Sequence, residues 1–406
     1  MVSSILAKDQ NVLIVGAGLF GLSTALHLAQ DGYNNITVID KESLPNSCSA
    51  GNDLNKIVRA EYEDPFYTGL ALNAIQEWQT PFWSAYYRST GYLLTTSLNA
   101  PQKACDTIKK SFASIKDHPS IPPGSFSAVD NANDIKEYVP MLVGKMEGWS
   151  GYFNRYAGYV RAAKALKYTE MMCLKLGVKF VTGDNGSTKP THTVLCVGAY
   201  IGTLLPSITT QVIAKSWAVA HIQLSPNEAA GMKGCPVVNC RDLGFFFEPD
   251  DDTGLIKLSA NGAGYTNTVS AAGKSASVPI CVNDGMPKED EELIRRLIQE
   301  TMPQFSGKEL LNKFICWCGD TSDSNYIIDF VPDTEGLLVV AGDSGHAFKM
   351  LPVAGKWVER ALEKGRQSIE RWKWKNTTKG SHEISWRVGK VKDIKDVELS
   401  TSKGQV

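Results

Sequence analysis

Residues 11–32 read NVLIVGAGLFGLSTALHLAQDG, and this stretch decides the fold. NVLIV is a short apolar run, which is typical of a strand buried on both faces of a parallel sheet. GAGLFG follows, with Gly16, Gly18 and Gly21 in G-x-G-x-x-G spacing, and apolar residues then recur at helical positions as far as Gly32. The order strand, glycine turn and helix predicts a unit that binds a dinucleotide.

Each glycine has a physical role in such a turn. Gly16 permits the tight turn, Gly18 lets a pyrophosphate approach the backbone, and Gly21 lets the helix pack against the strand. The helix begins near Leu19 and Phe20, where free N–H groups and the positive end of the helix dipole are available to phosphates. These five residues are therefore predicted to contact the cofactor.

The strand after the helix carries the second part of the fingerprint. ITVID ends at Asp40, whose carboxylate is placed to accept hydrogen bonds from the adenosine ribose, and Lys41 follows it at the predicted site. The fingerprint fits both NAD and FAD, so the rest of the chain has to decide between these cofactors.

Composition excludes several classes of protein. The chain has 406 residues, of which 43% are hydrophobic and 21% charged, and its net charge is −1. This length predicts two domains, and the charge balance gives no support for a nucleic-acid or membrane-surface partner. No apolar stretch reaches the ~20 residues of a membrane helix. Without a signal-peptide pattern or an SKL-type peroxisomal terminus, the predicted location is the cytoplasm.

The cysteines predict reduced thiols. Nine of them stand at irregular spacings, and an odd number without a signal sequence argues against a disulfide framework. Cys316 and Cys318 lie close together in FICWCGD. A zinc site would need four ligands, so no metal site is predicted, and a disulfide between them would be strained. From the residues alone, two buried thiols on one strand are the commonest arrangement.

The remaining patterns predict an α/β nucleotide domain interrupted by a mixed, mainly antiparallel domain. VKFVTG and TVLCVGAY are typical of strands, and residues 213–282 hold short strands separated by turn residues. The fold class predicted is therefore α/β, or α+β overall. The predicted nucleotide-binding domain comprises residues 1–60, 150–212 and 316–376, the second domain 61–149 and 213–315, and a C-terminal extension 377–406.

Long ordered blocks of the chain resemble one family. The blocks are SAGNDLNKIVR (49–59), GFFFEPDDDTGLIKL (244–258), CWCGDT (316–321), GDSGHAFKMLPVAGK (342–356) and RWKWK (371–375). With them the chain resembles the FAD-dependent amine oxidases related to monomeric sarcosine oxidase, most closely the fungal fructosyl amino acid oxidases (amadoriases). Fungal saccharopine and pipecolate oxidases and amine oxidases of alkaloid pathways are similar too. The resemblance implies a monomer with a glutathione-reductase-like, Rossmann-type FAD domain of the D-amino-acid oxidase kind.

The resemblance also implies a covalently bound FAD. Cys316 matches the cysteine that a thioether joins to the flavin 8α-methyl group, and Cys318 remains the rival because alternate residues of a strand share a face. Backbone N–H groups from His346 to Met350 are expected to face the flavin pyrimidine edge. The other residues expected around FAD are Ser49, Asn55, Lys56, Gly198, Ala199, Gly345, Phe348 and Lys349.

Three cations are expected to carry the chemistry. Arg59 and Lys349 match residues that bind the substrate carboxylate, for which a guanidinium is well shaped. Lys257 matches the lysine near flavin N5, where a fixed positive charge helps O2 to be reduced. The alternatives remain solvated surface charge for Arg59 and Lys56, a snorkelling strand lysine for Lys257, and a packing role for His346.

The reaction implied is oxidation of a secondary amine, an N-substituted amino acid, by O2. The imine is hydrolysed and hydrogen peroxide is formed, without a catalytic acid or base. Asn261 stands where deglycating members carry an acid, and Lys375 stands where they carry the last arginine of WRWR. Both residues are placed in the substrate pocket, and both changes argue against a fructosyl substrate. The span 184–192 is shorter than in relatives, which have a β-meander there.

Four hypotheses on function remain open beside this one. The first is true deglycation of fructosyl amino acids. The second and third are a saccharopine or pipecolate oxidase and an oxidase of alkaloid biosynthesis. The fourth is a flavin-binding protein without oxidase turnover. An NAD-linked dehydrogenase is disfavoured because the sequence holds no second dinucleotide fingerprint.

Overall fold

The structure, a computed structural model, describes residues 5–183, 190–271, 274–282, 284–375 and 387–401. Most of the short span 184–192 and part of the predicted C-terminal extension therefore lie outside the described residues. The helices are α1 (Leu19–Gln30), α2 (Pro65–Trp78), α3 (Gln102–Ile115), α4 (Ala132–Tyr138), α5 (Ala162–Lys175), α6 (Ile201–Leu204), α7 (Pro226–Gly231), α8 (Lys288–Thr301) and α9 (Ala354–Lys364). Among the described residues, none of these helices has the length and apolar composition needed to cross a membrane.

The strands form two large sheets and three small ones in the described part of the chain. They are β1 (Val12–Val15), β2 (Ile36–Asp40), β3 (Lys56–Val58), β4 (Tyr87–Arg88), β5 (Tyr92–Thr96), β6 (Phe126–Val129), β7 (Ser150–Asn154), β8 (Gly158–Val160), β9 (Lys179–Thr182), β10 (His192–Leu195), β11 (Val212–Gln223), β12 (Val237–Cys240), β13 (Gly244–Phe246), β14 (Leu255–Ala260), β15 (Tyr265–Thr266), β16 (Thr268–Ala271), β17 (Lys274–Ser277), β18 (Met286–Pro287), β19 (Leu311–Thr321), β20 (Ile327–Phe330), β21 (Leu337–Ala341), β22 (Lys392–Asp393) and β23 (Leu399–Ser400).

The first large sheet has the strand order β20–β21–β10–β1–β2–β9. It is parallel except that β20 runs antiparallel to β21. Val12 pairs with Ile36 of β2 on one side and with His192 of β10 on the other, so β1 lies between two strands that are far apart in sequence. In sheets of this kind, ligands bind in the crevice at the carboxyl ends of such strands. The predicted strand, glycine turn, helix and second strand are confirmed as β1, α1 and β2.

The second large sheet is mainly antiparallel, as predicted. Its order is β22–β15–β11–β14–β13–β12–β5–β7–β6, and β19 also pairs with the long strand β11. Trp217 of β11 lies opposite Cys316 of β19, and His221 lies opposite Lys257 of β14. The domain bounds stay a prediction. Strand β7, which falls in the range 150–212 predicted for the nucleotide-binding domain, pairs with β5 and β6 of this second sheet.

Helix α1 packs closely on the glycine turn. A Cβ atom on Gly21 would overlap the carbonyl oxygen of Gly16, and it would also lie 3.3 Å from a methyl carbon of Ile14 in β1. Gly16 itself has φ +98°, a conformation that residues with a Cβ rarely adopt. The sequence assigned the tight turn to Gly16 and the close packing to Gly21, and the structure shows both.

One prediction about the cysteines is wrong. Cys48 and Cys281 are joined by a disulfide, with their Cα atoms 6.0 Å apart and 233 residues between them in sequence. The bond connects the loop after β2 with the loop between β17 and β18. The spacing of the cysteines along the chain does not predict this contact. The thiols that remain free are Cys105, Cys173, Cys196, Cys235, Cys240, Cys316 and Cys318.

We expect Gly21→Ala to lower the free energy of unfolding by about 1–3 kcal/mol, because the added methyl group forces α1 away from the Gly16 turn. Gly69→Ala in α2 is the matched control, since no heavy atom lies within 4 Å of its Cβ position. In a helix that exchange stabilises by about 0.5–1 kcal/mol. Thermal unfolding of the two variants measures the difference. A Gly21→Ala protein as stable as the control would contradict the packing role of this glycine.

Candidate active site

The carboxyl end of β1 forms a cradle that fits a dinucleotide. Gly18 is the N-cap of α1, no side chain caps this helix end, and no heavy atom lies within 4 Å of a Cβ built on Gly18. The exposed backbone can therefore approach a phosphate group. Asp40 is held in position at the end of β2, since Ala17 N–H donates to its Oδ2 at 2.7 Å and Asn46 Nδ2 donates to its Oδ1 at 2.8 Å.

The other residues predicted for the nucleotide half lie around the same edge. Lys41 is exposed directly after Asp40, and Ser49 lies in the loop that follows, where its Oγ accepts from Gly51 N–H at 3.2 Å. Gly198 and Ala199 begin a short turn after β10, whose end lies beside β1. Leu19 and Phe20 open α1.

A cavity of about 300 Å³ is lined by residues of the second large sheet, of β3 and of loops that include the turn after β21. It contains most of the residues predicted to act at the flavin or the substrate. These lining residues are Lys56, Arg59, Lys257, Asn261, Cys316, Cys318, Gly345, His346, Phe348 and Lys349. Asn55 is buried beside this wall, and Met350 is buried behind the turn that carries Lys349.

One buried carboxylate holds two of the cavity lysines. Asp53 pairs with Lys56 at 2.7 Å and with Lys257 at a shorter distance, and Lys257 Nζ also donates to the carbonyl oxygen of Asn55 at 3.0 Å. Burial alone would raise the pKa of Asp53, but the two lysines hold it well below its usual range. Lys257 is therefore not a snorkelling residue: its ammonium group ends inside the protein.

Burial also changes the acidity of Lys257. Desolvation lowers the pKa of Lys257 to about 8, although the charge of Asp53 opposes this change and that of Lys56 adds to it. The group can therefore exchange a proton near neutral pH, which a surface lysine does not do.

The cysteine pair faces the cavity from β19, while Ile315 and Trp317 pack on the opposite side of the strand. Lys56 Nζ lies 3.8 Å from Cys316 Sγ. The hydrogen bond from Cys318, helped by the Lys56 charge and opposed by burial, lowers the pKa of Cys316 to about 6. The same hydrogen bond and burial raise the pKa of Cys318 well above its usual value.

The glycine-rich turn after β21 is tied to β19 by Asp343. Its carboxylate accepts from Gly319 N–H at 2.7 Å and from Gly345 N–H at 3.0 Å. That backbone N–H groups from His346 to Met350 face the flavin stays a prediction, and the groups at both ends of that range have partners within the turn. His346 N–H donates to Asp343 O at 2.9 Å and Met350 N–H to Ala347 O at 2.7 Å, because the turn satisfies its own backbone groups.

His346 is held by hydrogen bonds on both ring nitrogens. Nε2 lies 2.9 Å from Ser324 O, and Nδ1 lies 3.1 Å from Tyr326 Oη and 3.3 Å from Tyr62 Oη. Burial, followed by the charge of Lys349, lowers the pKa of His346 to about 3, so the imidazole is neutral. Its Nε2–H then donates to Ser324, and Nδ1 accepts from the tyrosines.

Lys349 and Arg59 present cations to the cavity. Lys349 Nζ donates to Tyr62 Oη at 2.7 Å and to His346 O at 3.0 Å, and the Arg59 guanidinium donates to the carbonyl oxygen of Glu61. Burial and then the Arg59 charge hold the pKa of Lys349 well below its usual range. Among the described residues, neither cation forms a salt bridge, so both can receive a carboxylate.

Two predicted substrate residues have other partners. Asn261 lines the cavity, but its Nδ2 donates to Asn239 Oδ1 at 2.9 Å and to Cys240 O at 2.8 Å. Lys375 does not line the cavity. It pairs with Asp323, and Asp323 is a residue of the cavity wall.

Sequence reasoning missed four residues that shape this cavity, namely Asp53, Tyr62, Arg241 and Arg387. Asp53 lies inside the block SAGNDLNKIVR, so a search there for a counter-ion to Lys56 could have found it. The others carry no local signal, since their positions follow from the tertiary fold.

Comparisons with known proteins agree with this geometry. The family described as FAD dependent oxidoreductase (DAO) matches residues 11–361. L-saccharopine oxidase of Schizosaccharomyces pombe is 32% identical over 97% of this chain and 100% of its own length. Monomeric sarcosine oxidase of an Arthrobacter species is 22% identical over 88% of this chain and 94% of its own.

Solved structures show the same fold. Fructosamine oxidase (Amadoriase II) of Aspergillus fumigatus superposes with a TM-score of 0.89 at 32% identity, over 98% of this chain and 99% of that one. Fructosyl peptide oxidase from E. terrenum gives a TM-score of 0.87 at 30% identity, over 97% and 98%. The predicted family, fold class and FAD-dependent amine oxidase class are confirmed, and the chain belongs to the DAO family of FAD-dependent oxidoreductases.

Proposed function

We propose that this protein is an oxidase of a secondary amine that carries a carboxylate, with FAD attached to Cys316 and O2 as the acceptor. One observation carries the proposal: Arg59 and Lys349, two cations without a salt bridge among the described residues, face the same cavity as the thiol of Cys316. The relatives named as saccharopine oxidase and sarcosine oxidase support an amine derived from an amino acid.

The residues that would hold FAD form a continuous path. The Gly16–Gly21 turn and Asp40 serve the adenosine diphosphate half, and Cys316 and the turn around Lys349 serve the flavin half. When bound, the flavin supplies hydride acceptance from the substrate C–H and two-electron transfer to O2, which yields hydrogen peroxide. Cys316 is favoured over Cys318 as the attachment point because its thiolate is stabilised by Cys318 and Lys56.

The chain's own groups orient the amine. The carboxylate of the substrate binds between Arg59 and Lys349, and the Tyr62 hydroxyl, 2.7 Å from Lys349 Nζ, fixes the lysine there. Neutral His346 places Tyr62 and does not exchange a proton. The imine product is hydrolysed by water, so no side chain has to act as a base. This agrees with a cavity in which the histidine is uncharged.

A fructosyl substrate is disfavoured. Asn261 stands where deglycating relatives carry an acid, so a charged acceptor for the sugar hydroxyl groups is lost, and its Nδ2 already donates to Asn239 and Cys240. Lys375, the other position that differs from deglycating relatives, is paired with Asp323 outside the cavity wall. The amadoriase structures therefore share the fold of this chain, and we assign it a different substrate.

Cys316→Ser is expected to release the flavin from the protein on acid precipitation, whereas Cys318→Ser is expected to keep it in the pellet. The absorbance of the supernatant and the mass of the intact protein measure the attachment. Because Cys318 lowers the pKa of Cys316, its replacement should slow the attachment without abolishing it. Flavin that stays bound in Cys316→Ser and is lost in Cys318→Ser would reverse the assignment.

Lys257 is expected to speed the reaction of the reduced enzyme with O2. Lys257→Met should lower that rate constant about 100-fold, a typical loss for one preorganised charge. In the unchanged protein the rate constant should fall as pH rises through about 8, where Lys257 loses its proton. Stopped-flow reoxidation at a series of pH values measures both effects. Reduction by the amine is the internal control and should not depend on Lys257.

Peroxide formation is expected with N-alkyl amino acids and not with fructosyl-valine. Arg59→Gln should raise the KM for the active amines by about 10- to 100-fold, because one charge-assisted hydrogen bond to the carboxylate is lost. Amines of the same shape without a carboxylate are the control, and their KM should not change. If no amine produces peroxide or bleaches the flavin without air, the protein binds flavin without oxidase turnover.

A further inference from the structure

Arg241 is a buried cation that the proposed reaction does not use. It follows β12, is 6% exposed, and its backbone N–H donates to Thr95 O at 2.8 Å. Its side chain lines the cavity, and its Nε is buried without a hydrogen-bond partner. Leaving a buried guanidinium unpaired costs free energy, so a ligand that pairs with it would recover that cost.

The neighbouring carboxylates do not pair with Arg241 in the described part of the chain. Asp242, the next residue, accepts hydrogen bonds from the N–H of Ser97 at 2.9 Å and from its hydroxyl at 2.5 Å. Glu63, whose charge acts on Arg241, lies 3.9 Å from Lys110 Nζ. A structural arginine would be expected to have one of these acids as its partner.

Other cations of the cavity are already paired with carboxylates of the protein. Lys56 and Lys257 share Asp53, and Arg387 donates to Asp320 at 2.7 Å. Arg59 and Lys349 remain for the first carboxylate of the substrate. Arg241 is then a further positive charge, and nothing in the proposed substrate balances it.

Arg241 lies beside the carboxylate site and also at a second cavity. The Arg59 guanidinium lies beside Tyr92, with Cζ 5.8 Å from the ring centre, and the Arg59 charge also acts on Arg241. A second cavity of about 490 Å³ shares Arg241, Trp217 and Asn261 with the first. A substrate that reaches Arg241 can therefore extend beyond the first cavity.

We propose that the substrate is a dicarboxylic secondary amine, in which Arg59 and Lys349 bind one carboxylate and Arg241 binds a second on the other substituent of the nitrogen. The substrate class is thus an amino acid whose nitrogen is joined to another carboxyl-bearing chain. This inference rests on the proposed function, because it places the amine between the two carboxylate sites.

The test uses thioethers, in which sulfur replaces the nitrogen so that the C–N oxidation cannot occur. Methylthioacetate carries one carboxylate, and thiodiglycolate and its longer homologues carry a second at increasing distance. Calorimetric titration of the FAD-loaded protein measures each Kd. The best dicarboxylate should bind about 10- to 100-fold more tightly than methylthioacetate, the usual range for a charge-assisted hydrogen-bonded pair.

Arg241→Gln should abolish this preference and leave the Kd for methylthioacetate unchanged, while Arg241→Lys should keep part of it. Arg88→Gln is the matched control, since Arg88 pairs with Asp251 outside the cavity. Flavin content and circular dichroism check that each variant is folded.

The inference is overturned if no dicarboxylate binds more tightly than methylthioacetate, or if the preference survives in Arg241→Gln. The two proposals fail separately, because binding needs no turnover. If dicarboxylates bind more tightly but no amine yields peroxide, the proposed oxidase activity is contradicted and the second carboxylate site is kept. If amines are oxidised but dicarboxylates bind no more tightly than methylthioacetate, the second carboxylate site is contradicted and the oxidase activity is kept.

Discussion

The pairing of Asp53 with Lys56 and Lys257 is the interaction on which the site depends. It joins the loop before β3 to strand β14 of the antiparallel sheet, inside the protein and away from water. A buried carboxylate between two ammonium groups is stable only if all three keep their positions, since loss of one partner leaves an uncompensated charge at a cost of about 3–5 kcal/mol. Through Lys56 the same group sets the environment of Cys316.

Acidic side chains position this site, and basic side chains are left to act in it. Asp53 holds two lysines, Asp343 connects β19 to the turn of Lys349, and Asp320 holds Arg387. Asp53 and Asp320 are buried, Asp343 is half-buried, and each of the three binds protein groups through at least one carboxylate oxygen. Three cations that face the cavity, Arg59, Lys349 and Arg241, have no salt bridge among the described residues. This division explains how a chain with a net charge of −1 presents a positive cavity.

The parts of the fold that could be predicted follow from short-range patterns. Strand β1, helix α1 and the roles of Gly16 and Gly21 depend on neighbours a few residues away, so the glycine spacing was sufficient. The common face of Cys316 and Cys318 followed from strand alternation. The roles assigned to the residues of the cavity remain predictions, although the structure places most of them together.

The features that could not be predicted are those made by distant segments. Cys48 and Cys281 meet only because two loops fold against each other, and Arg241 carries no motif that separates it from a surface arginine. The backbone groups of His346 and Met350 were assigned to the flavin by resemblance. The turn uses them internally, which only its three-dimensional path reveals.

The cavity wall includes a segment from near the end of the described chain. Arg387 stacks 3.7 Å above the Trp217 ring and pairs with Asp320, and β22 adds to the edge of the second sheet. During synthesis on the ribosome, every other part of both large sheets emerges before this segment. The nascent protein can thus build its nucleotide cradle and most of its core while the substrate chamber is still open on one side, and the chamber is completed last.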